Sequence, residues 1–253
     1  MTSSWYILFL ALCIPQLFTF QGEGTIHYRE TVKLDVDLPD EMDDAMKALI
    51  PTEQKFMKSL YFKDGLSLYK DIDENQENEL TRETSSGDGE MQVRMIVARP
   101  DNQLYLNWAD DEMVNMRDFM GKKFLIRDQI KKLDWKITAD QVKILDYVCM
   151  KAVLQDSSRS VEAWFTPQIA APVGPSEFGQ LPGAVLRVVL NDGKRQIDAI
   201  KVDLNPIAPA SITVPAKGKK VSAEEMKKIV DKKLKEMGAE RGQTRTTIRI
   251  QNN

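Results

Sequence analysis

The stretch GTIHYRETVKLDVDL, residues 24–38, places Ile26, Tyr28, Val32, Leu34, Val36 and Leu38 on even positions. Successive side chains of a strand point to opposite faces, so this parity predicts a long strand with one buried face. Asp40 then reads as an N-cap, and Met42, Ala45, Met46 and Leu49 follow at helical spacing until Pro51 stops the helix.

Outward from that strand the chain keeps a β rhythm. Runs at 59–62 and 67–70 are joined by Asp64-Gly65, a hairpin signal, and runs at 91–98 and 103–108 flank Pro100-Asp101-Asn102 in the same manner. Further strand-like runs are 112–119, 123–127, 142–154, 161–166, 184–190 and 195–204, the last two separated by Asn191-Asp192-Gly193. Residues 71–90 are acidic and nearly free of apolar side chains, which predicts a mobile loop. Asp71-x-Asp73-x-Asn75 imitates a calcium loop, but Gln76 replaces the turn glycine and Arg82 the bidentate glutamate. The fold class expected is mainly β: a curved antiparallel sheet or open, bowl-like half-barrel with one or two helices packed on it.

The character changes after Pro215. Ser222 and Glu225 form a capping box, and Met226, Ile229, Val230, Leu234 and Met237 give an apolar stripe closed by Gly238. The Lys-rich outer face is offset by Glu224, Glu225, Asp231 and Glu236, so the helix is expected to dock on the sheet. Residues 244–251 read as one last edge strand. The organisation expected is a signal peptide at 1–22, a β domain at 23–215, and a C-terminal helix with an edge strand at 216–253.

The signal peptide is read from residues 5–20, an uncharged apolar run of 16 residues broken by Pro15 and Gln16. That is short for a membrane span and suits a signal core. The expected location is therefore periplasmic or secreted, with no membrane span after cleavage. Composition narrows the chemistry. Across 253 residues, 35 Lys plus Arg face 38 Asp plus Glu, a formal charge of −3, without the basic footprint of a nucleic-acid binder. One histidine and two cysteines leave little for a catalytic triad or a zinc site, so no metal, cofactor or catalytic residue is assigned. Loss of the leader removes Cys13 and leaves Cys149: a buried hydrophobe, a thiol paired with another chain, or a reactive thiol whose sole imidazole partner is the distant His27.

The middle of the chain carries Asp134-Trp135-Lys136-Ile137-Thr138, Tyr147-x-Cys149-x-Lys151-Ala152, Glu162-Ala163-Trp164-Phe165-Thr166, Gly174-Pro175 and 178–186, FGQLPGAVL. With Gly24-x-Ile26-x-Tyr28 and the segment 60–69, these resemble the GLPGLI family over about residues 24–204. The resemblance implies an exported protein of Gram-negative bacteria. Gln180 departs from it, standing where the family has its first glycine; Gly179 is expected to supply the lost backbone freedom.

Residues 166–183 form a Pro- and Gly-rich crossing between two strands, stiff and suited either to closing the core or to binding. The candidate ligand-binding residues are Trp135, Tyr147, Cys149, Trp164, Phe178, Leu181, Pro182 and Gly183. On strand parity Tyr147, Cys149 and Lys151 share one face, opposite Val148, Met150 and Ala152. The function expected is an exported non-enzymatic β-protein whose concave face binds an apolar ligand or an envelope protein partner. Two alternatives stay open: an adaptor of an envelope or secretion system, and a carboxylate-dependent hydrolase drawing on pairs such as Asp110-Asp111-Glu112.

Overall fold

The computed structural model describes residues 22–34, 51–72, 79–86, 89–96, 101–156, 159–236 and 248–252, with 79–96 and 248–252 described by their backbone. The strands are β1 (Glu23–Lys33), β2 (Glu53–Lys63), β3 (Leu66–Asp71), β4 (Glu79–Ser86), β5 (Gly89–Ile96), β6 (Gln103–Asn107), β7 (Glu112–Phe119) and β8 (Lys122–Gln129). They continue as β9 (Trp135–Ile144), β10 (Tyr147–Leu154), β11 (Val161–Thr166), β12 (Ala184–Leu190), β13 (Arg195–Asp203), β14 (Lys219–Val221) and β15 (Ile248–Asn252), and one helix, α1 (Ala223–Glu236), follows β14.

Twelve strands form one unclosed sheet in the order β14-β8-β7-β6-β3-β2-β1-β13-β12-β11-β10-β9. All neighbours are antiparallel except β14, which runs parallel to β8. The curved, mainly β architecture with a helix on it is the one expected from the sequence. The expected leader, the helix expected after Asp40 and the expected Gly238 cap lie outside the described residues. No helix among the described residues is long and apolar enough to cross a membrane.

Three local readings need correction. Residues 71–90 are not all loop: Glu79–Ser86 pairs antiparallel with Gly89–Ile96, and β5 also pairs with β15 in a separate three-stranded sheet. The strand ELTRETSS has almost no apolar side chain to reveal it. The runs at 91–98 and 103–108 therefore do not form a hairpin with each other; β6 lies between β3 and β7 instead. The run at 142–154 is broken at Leu145, which turns the chain at φ +52 while 42% exposed, so an apolar residue hides a turn. The turns at Asp64-Gly65 and at residues 191–193 are where the sequence put them, each with the positive φ a tight hairpin demands.

Register decides which residues share a face. In an antiparallel pair directly opposed residues lie on the same side, and Ile26, Leu60, Tyr69, Leu104, Asn115 and Ile126 are opposed in turn from β1 to β8. This inner face holds the main core, which includes Ile26, Tyr28, Leu60, Phe62, Phe165 and Leu186. Leu68, Tyr105, Val114, Met116 and Leu125 make a smaller cluster on the other face, with Ile212 against it.

The segment between β11 and β12 folds onto the inner face. Its Ile169, Ala171, Val173, Phe178 and Leu181 are buried in the same cluster as Ile26 and Tyr28. Burying each large apolar side chain contributes about 1.5–3 kcal/mol before entropy is counted. The crossing thus packs as core over β10–β13. At the far edge α1 buries Met226 against Phe124 and Ile126 of β8. Its capping box forms: the Ser222 amide donates to Glu225 Oε2 at 2.8 Å, and the Glu225 amide donates to Ser222 Oγ at 3.1 Å.

Candidate functional site

The buried series of β1 runs Ile26, Tyr28, Glu30, so a carboxylate occupies a core-facing position. The same face of β2 carries Phe56, Lys58, Leu60 and Phe62. Register sets Glu30 opposite Phe56 and Lys58 between Tyr28 and Asp71. Two ion pairs result. Arg195 Nε lies 2.8 Å from Glu30 Oε1, and Lys58 Nζ lies 2.6 Å from Asp71 Oδ1. Glu30 and Lys58 are 6% and 8% exposed. Taking an ion this far out of water costs several kcal/mol, which a pair repays only with good geometry and full hydrogen bonding.

That bonding is incomplete. Glu30 Oε2 and the Tyr69 hydroxyl are buried without a hydrogen-bond partner. Tyr69 packs edge-on to Tyr28, with ring centroids 6.1 Å apart, and Lys58 Nζ lies 5.9 Å from its ring centre. Burial, and after it the negative charge of Glu30, hold the Tyr69 phenol well above the ordinary tyrosine range. It therefore stays neutral and can donate or accept.

These groups line a cleft of about 330 Å³ whose opposite wall is Ser176, Glu177 and Phe178, from the β11–β12 segment. A second cleft of about 640 Å³ continues past Met113, Asn115 and Arg117 to Met226 and Val230 of α1. Arg159 and Glu177 border both and pair at 2.9 Å, with the guanidinium 5.5 Å from the Phe178 ring centre. The two compartments make one groove along the inner face. Exposed Arg117 borders both and has no ion pair among the described residues. No group of three or more potential metal ligands occurs among the described residues.

The residues singled out in the sequence lie mostly elsewhere. Cys149, Phe178 and Leu181 are core, and of the eight candidates Phe178 is the one that borders the groove. Trp135 is half-buried and donates its indole N–H to the Gly179 carbonyl at 2.9 Å. Tyr147 and Trp164 pack against the core edge, Pro182 is exposed, and Gly183 is buried at φ +150. The shared face of Cys149 and Lys151 is a misreading. The register shifts between Met150 and Ala152, so Cys149 and Ala152 are both buried while Lys151 turns out to Glu162 at 2.9 Å. Desolvation raises the Cys149 thiol to about 11, which makes it an inert packing group. His27 Nδ1 is hydrogen-bonded to Ser59 Oγ at 2.8 Å.

Gln180 also differs from its reading. Gln180 itself takes the left-handed conformation, φ +69. Its side chain accepts from the Leu133 amide at 3.1 Å and donates to the Lys131 carbonyl at 2.8 Å. The groove residues Glu30, Lys58, Tyr69 and Arg195 are not among the candidates named from the sequence, where Tyr69 figures only as the end of the segment 60–69. The signal for two of them is parity: Glu30 and Lys58 are charged residues in the buried phase of otherwise apolar strands.

A family model described as N-glycanase peptide, N-terminal domain, matches residues 79–232. Two solved structures, of PNGF-II in C2 and P21 crystal forms, are similar to this chain with TM-scores of 0.54 and 0.53. Their identities are 17% and 18%, which speaks for the fold, and the match covers 83% of this chain and 33% of each of theirs. The chain thus spans about a third of the length of those proteins. A comparison with curated proteins finds no match.

These findings overturn the resemblance to the GLPGLI family. The matched model is another family and runs past Pro215, where the resemblance stopped. The expectation of a non-enzymatic ligand carrier falls with it, because the matched family is described as the N-terminal domain of an N-glycanase, an enzyme. The matched span is more than half of the chain, and the protein belongs to the family of N-glycanase N-terminal domains.

Proposed function

We propose that the chain works in the enzymatic removal of N-linked glycans from peptides, as the N-terminal module of an N-glycanase, and that the inner-face groove engages the glycosylated substrate. Family membership supports the reaction class. The structural observation that carries the role is the groove lining, where Asn102, Gln103, Asn115 and Arg117 stand beside the rings of Phe56 and Phe178. Sugars offer hydroxyls that donate and accept, together with apolar C–H faces, and a wall of amides and rings meets both. The apolar run at residues 5–20 supports export to the periplasm or beyond as its compartment.

Calorimetric titration of the purified chain with an N-glycosylated peptide, and with the same peptide lacking its glycan, tests the reading. The glycosylated form should bind at least about tenfold more tightly, a difference of ~1.4 kcal/mol. Arg117→Ala and Asn115→Ala should reduce that preference. Equal binding of the two peptides, or none of either, overturns the proposal.

A further inference from the structure

The two unpartnered atoms of residues that line the groove point to a specific occupant. We propose that Glu30 and Tyr69 form a pocket for one uncharged sugar unit, whose neighbouring hydroxyls bridge Glu30 Oε2 and the Tyr69 hydroxyl. The inference rests on the glycopeptide reading and names the subsite and its selectivity.

The first argument is cost. A buried polar group left without a partner costs about 1–3 kcal/mol, and native cores rarely hold two together. Glu30 Oε2 and the Tyr69 hydroxyl are both such groups, on residues 6% and 7% exposed that border the same cleft. Nothing in the surrounding packing satisfies them, so the fold keeps them for something that enters the cleft.

The second argument is chemical complementarity. The carboxylate oxygen accepts only, so the occupant must donate to it; the neutral phenol can take the other end of the same hydroxyl pair. The charges beside the two atoms are already matched, Arg195 against Glu30 Oε1 and Lys58 against Asp71, while Arg117, without an ion pair among the described residues, stands on β7, two strands away from Tyr69. An anionic sugar would be pressed against the free carboxylate oxygen, and an ammonium group would meet Arg195 and Lys58. A neutral hydroxyl pair avoids both penalties. Phe56 and Phe178, on either side of the cleft, provide surfaces for the C–H faces of a ring. The volume of about 330 Å³ falls at the small end of ligand pockets, room for a single unit rather than a chain.

The test uses the full chain, with N-acetylglucosamine and mannose as neutral probes and N-acetylneuraminic acid as the acidic one, read by saturation-transfer NMR and titration. The neutral sugars should bind and the acidic one should not. Tyr69→Phe removes a hydroxyl with no internal partner, so it should leave urea stability unchanged or raised while weakening neutral-sugar binding by about tenfold. Glu30→Gln should weaken it similarly. No saturation transfer from either neutral sugar, or affinity unchanged in both variants, overturns the inference and leaves the two atoms to bound water. Glycopeptide binding that persists unaltered in Tyr69→Phe sinks the pocket while the groove reading stands. Neutral-sugar binding that Tyr69→Phe abolishes, with no preference for the glycosylated peptide, does the reverse.

Discussion

Tyr28, in the first strand, donates its phenolic proton to the backbone oxygen of Val185, 2.7 Å away in β12. The two residues are 157 positions apart, and β13 lies between their strands. Val185 also takes part in closing the inner-face segment, since its amide donates to the Val173 carbonyl at 2.9 Å. The bond therefore ties the floor of the groove, where Tyr28 packs on Tyr69, to the end of the segment that forms its wall.

Tyr28→Phe should keep the ring and lose that tie. The tyrosine is fully buried, so the Val185 carbonyl cannot turn to water instead. Urea unfolding should show a loss of about 1–2 kcal/mol with an unchanged m-value. A variant as stable as the parent would mean that the bond contributes nothing net.

Glycine replacements should separate backbone strain from collision. At Gly65 the φ is +80 and an added Cβ meets nothing within 4 Å, so Gly65→Ala should cost about 1 kcal/mol for the left-handed turn alone. At Gly183 the φ is +150 and the Cβ would stand 2.1 Å from the Thr166 carbonyl oxygen. Gly183→Ala should therefore cost on the order of 4 kcal/mol or more, or fail to yield folded protein. Thermal melts of the two variants side by side check the contrast, and equal losses would contradict it.

The parts of the fold legible in the sequence were those written in short-range pattern. The even-position parity of β1, the Asp64-Gly65 and 191–193 turns, the spans of β11 and β12, and the Ser222–Glu225 capping box are all local signals. What escaped was either camouflaged or non-local. Leu145 looked like strand because it is apolar, and Glu79–Ser86 looked like loop because it is polar. The groove escaped for the second reason. Glu30 is read as a surface charge until Arg195, 165 residues later, is seen to meet it inside the fold. The tryptophans and the stiff crossing drew attention because they are conspicuous residue types, yet their main contacts close the core.

Gln180 should behave as a latch rather than as a spacer. Gln180→Ala removes both side-chain bonds, to Leu133 and Lys131, and keeps a Cβ at φ +69. Gln180→Gly removes the same bonds but relieves the left-handed strain. The alanine variant should be the less stable of the two by about 1 kcal/mol. Both should speed hydrogen exchange at the Leu133 amide. Unchanged exchange there would show that Gln180 does not hold the β8–β9 connection.

Cys149 gives the chain a measurable alkaline weakness. Its thiol is raised from the ordinary thiol value of 9.0 to about 11, chiefly by burial. Between those two pH values the unfolded chain releases the proton and the folded chain retains it, so the unfolded state gains. The contribution is fully present below pH 9 and is lost as the pH climbs toward 11, by up to ~1.4 kcal/mol per pH unit from this one group. Unfolding free energies of the parent and of Cys149→Ala, measured from pH 8 to 11, should converge as the pH rises, because the variant lacks that slope. The variant begins lower, having lost a buried sulfur from the core. At pH 8 the same burial should confine iodoacetamide labelling to molecules that open, so the labelling rate should follow the unfolding equilibrium under added urea. Parallel pH curves, together with labelling indifferent to urea, would put the thiol at the surface and contradict the packing that places Cys149 beside Ala152 in the core.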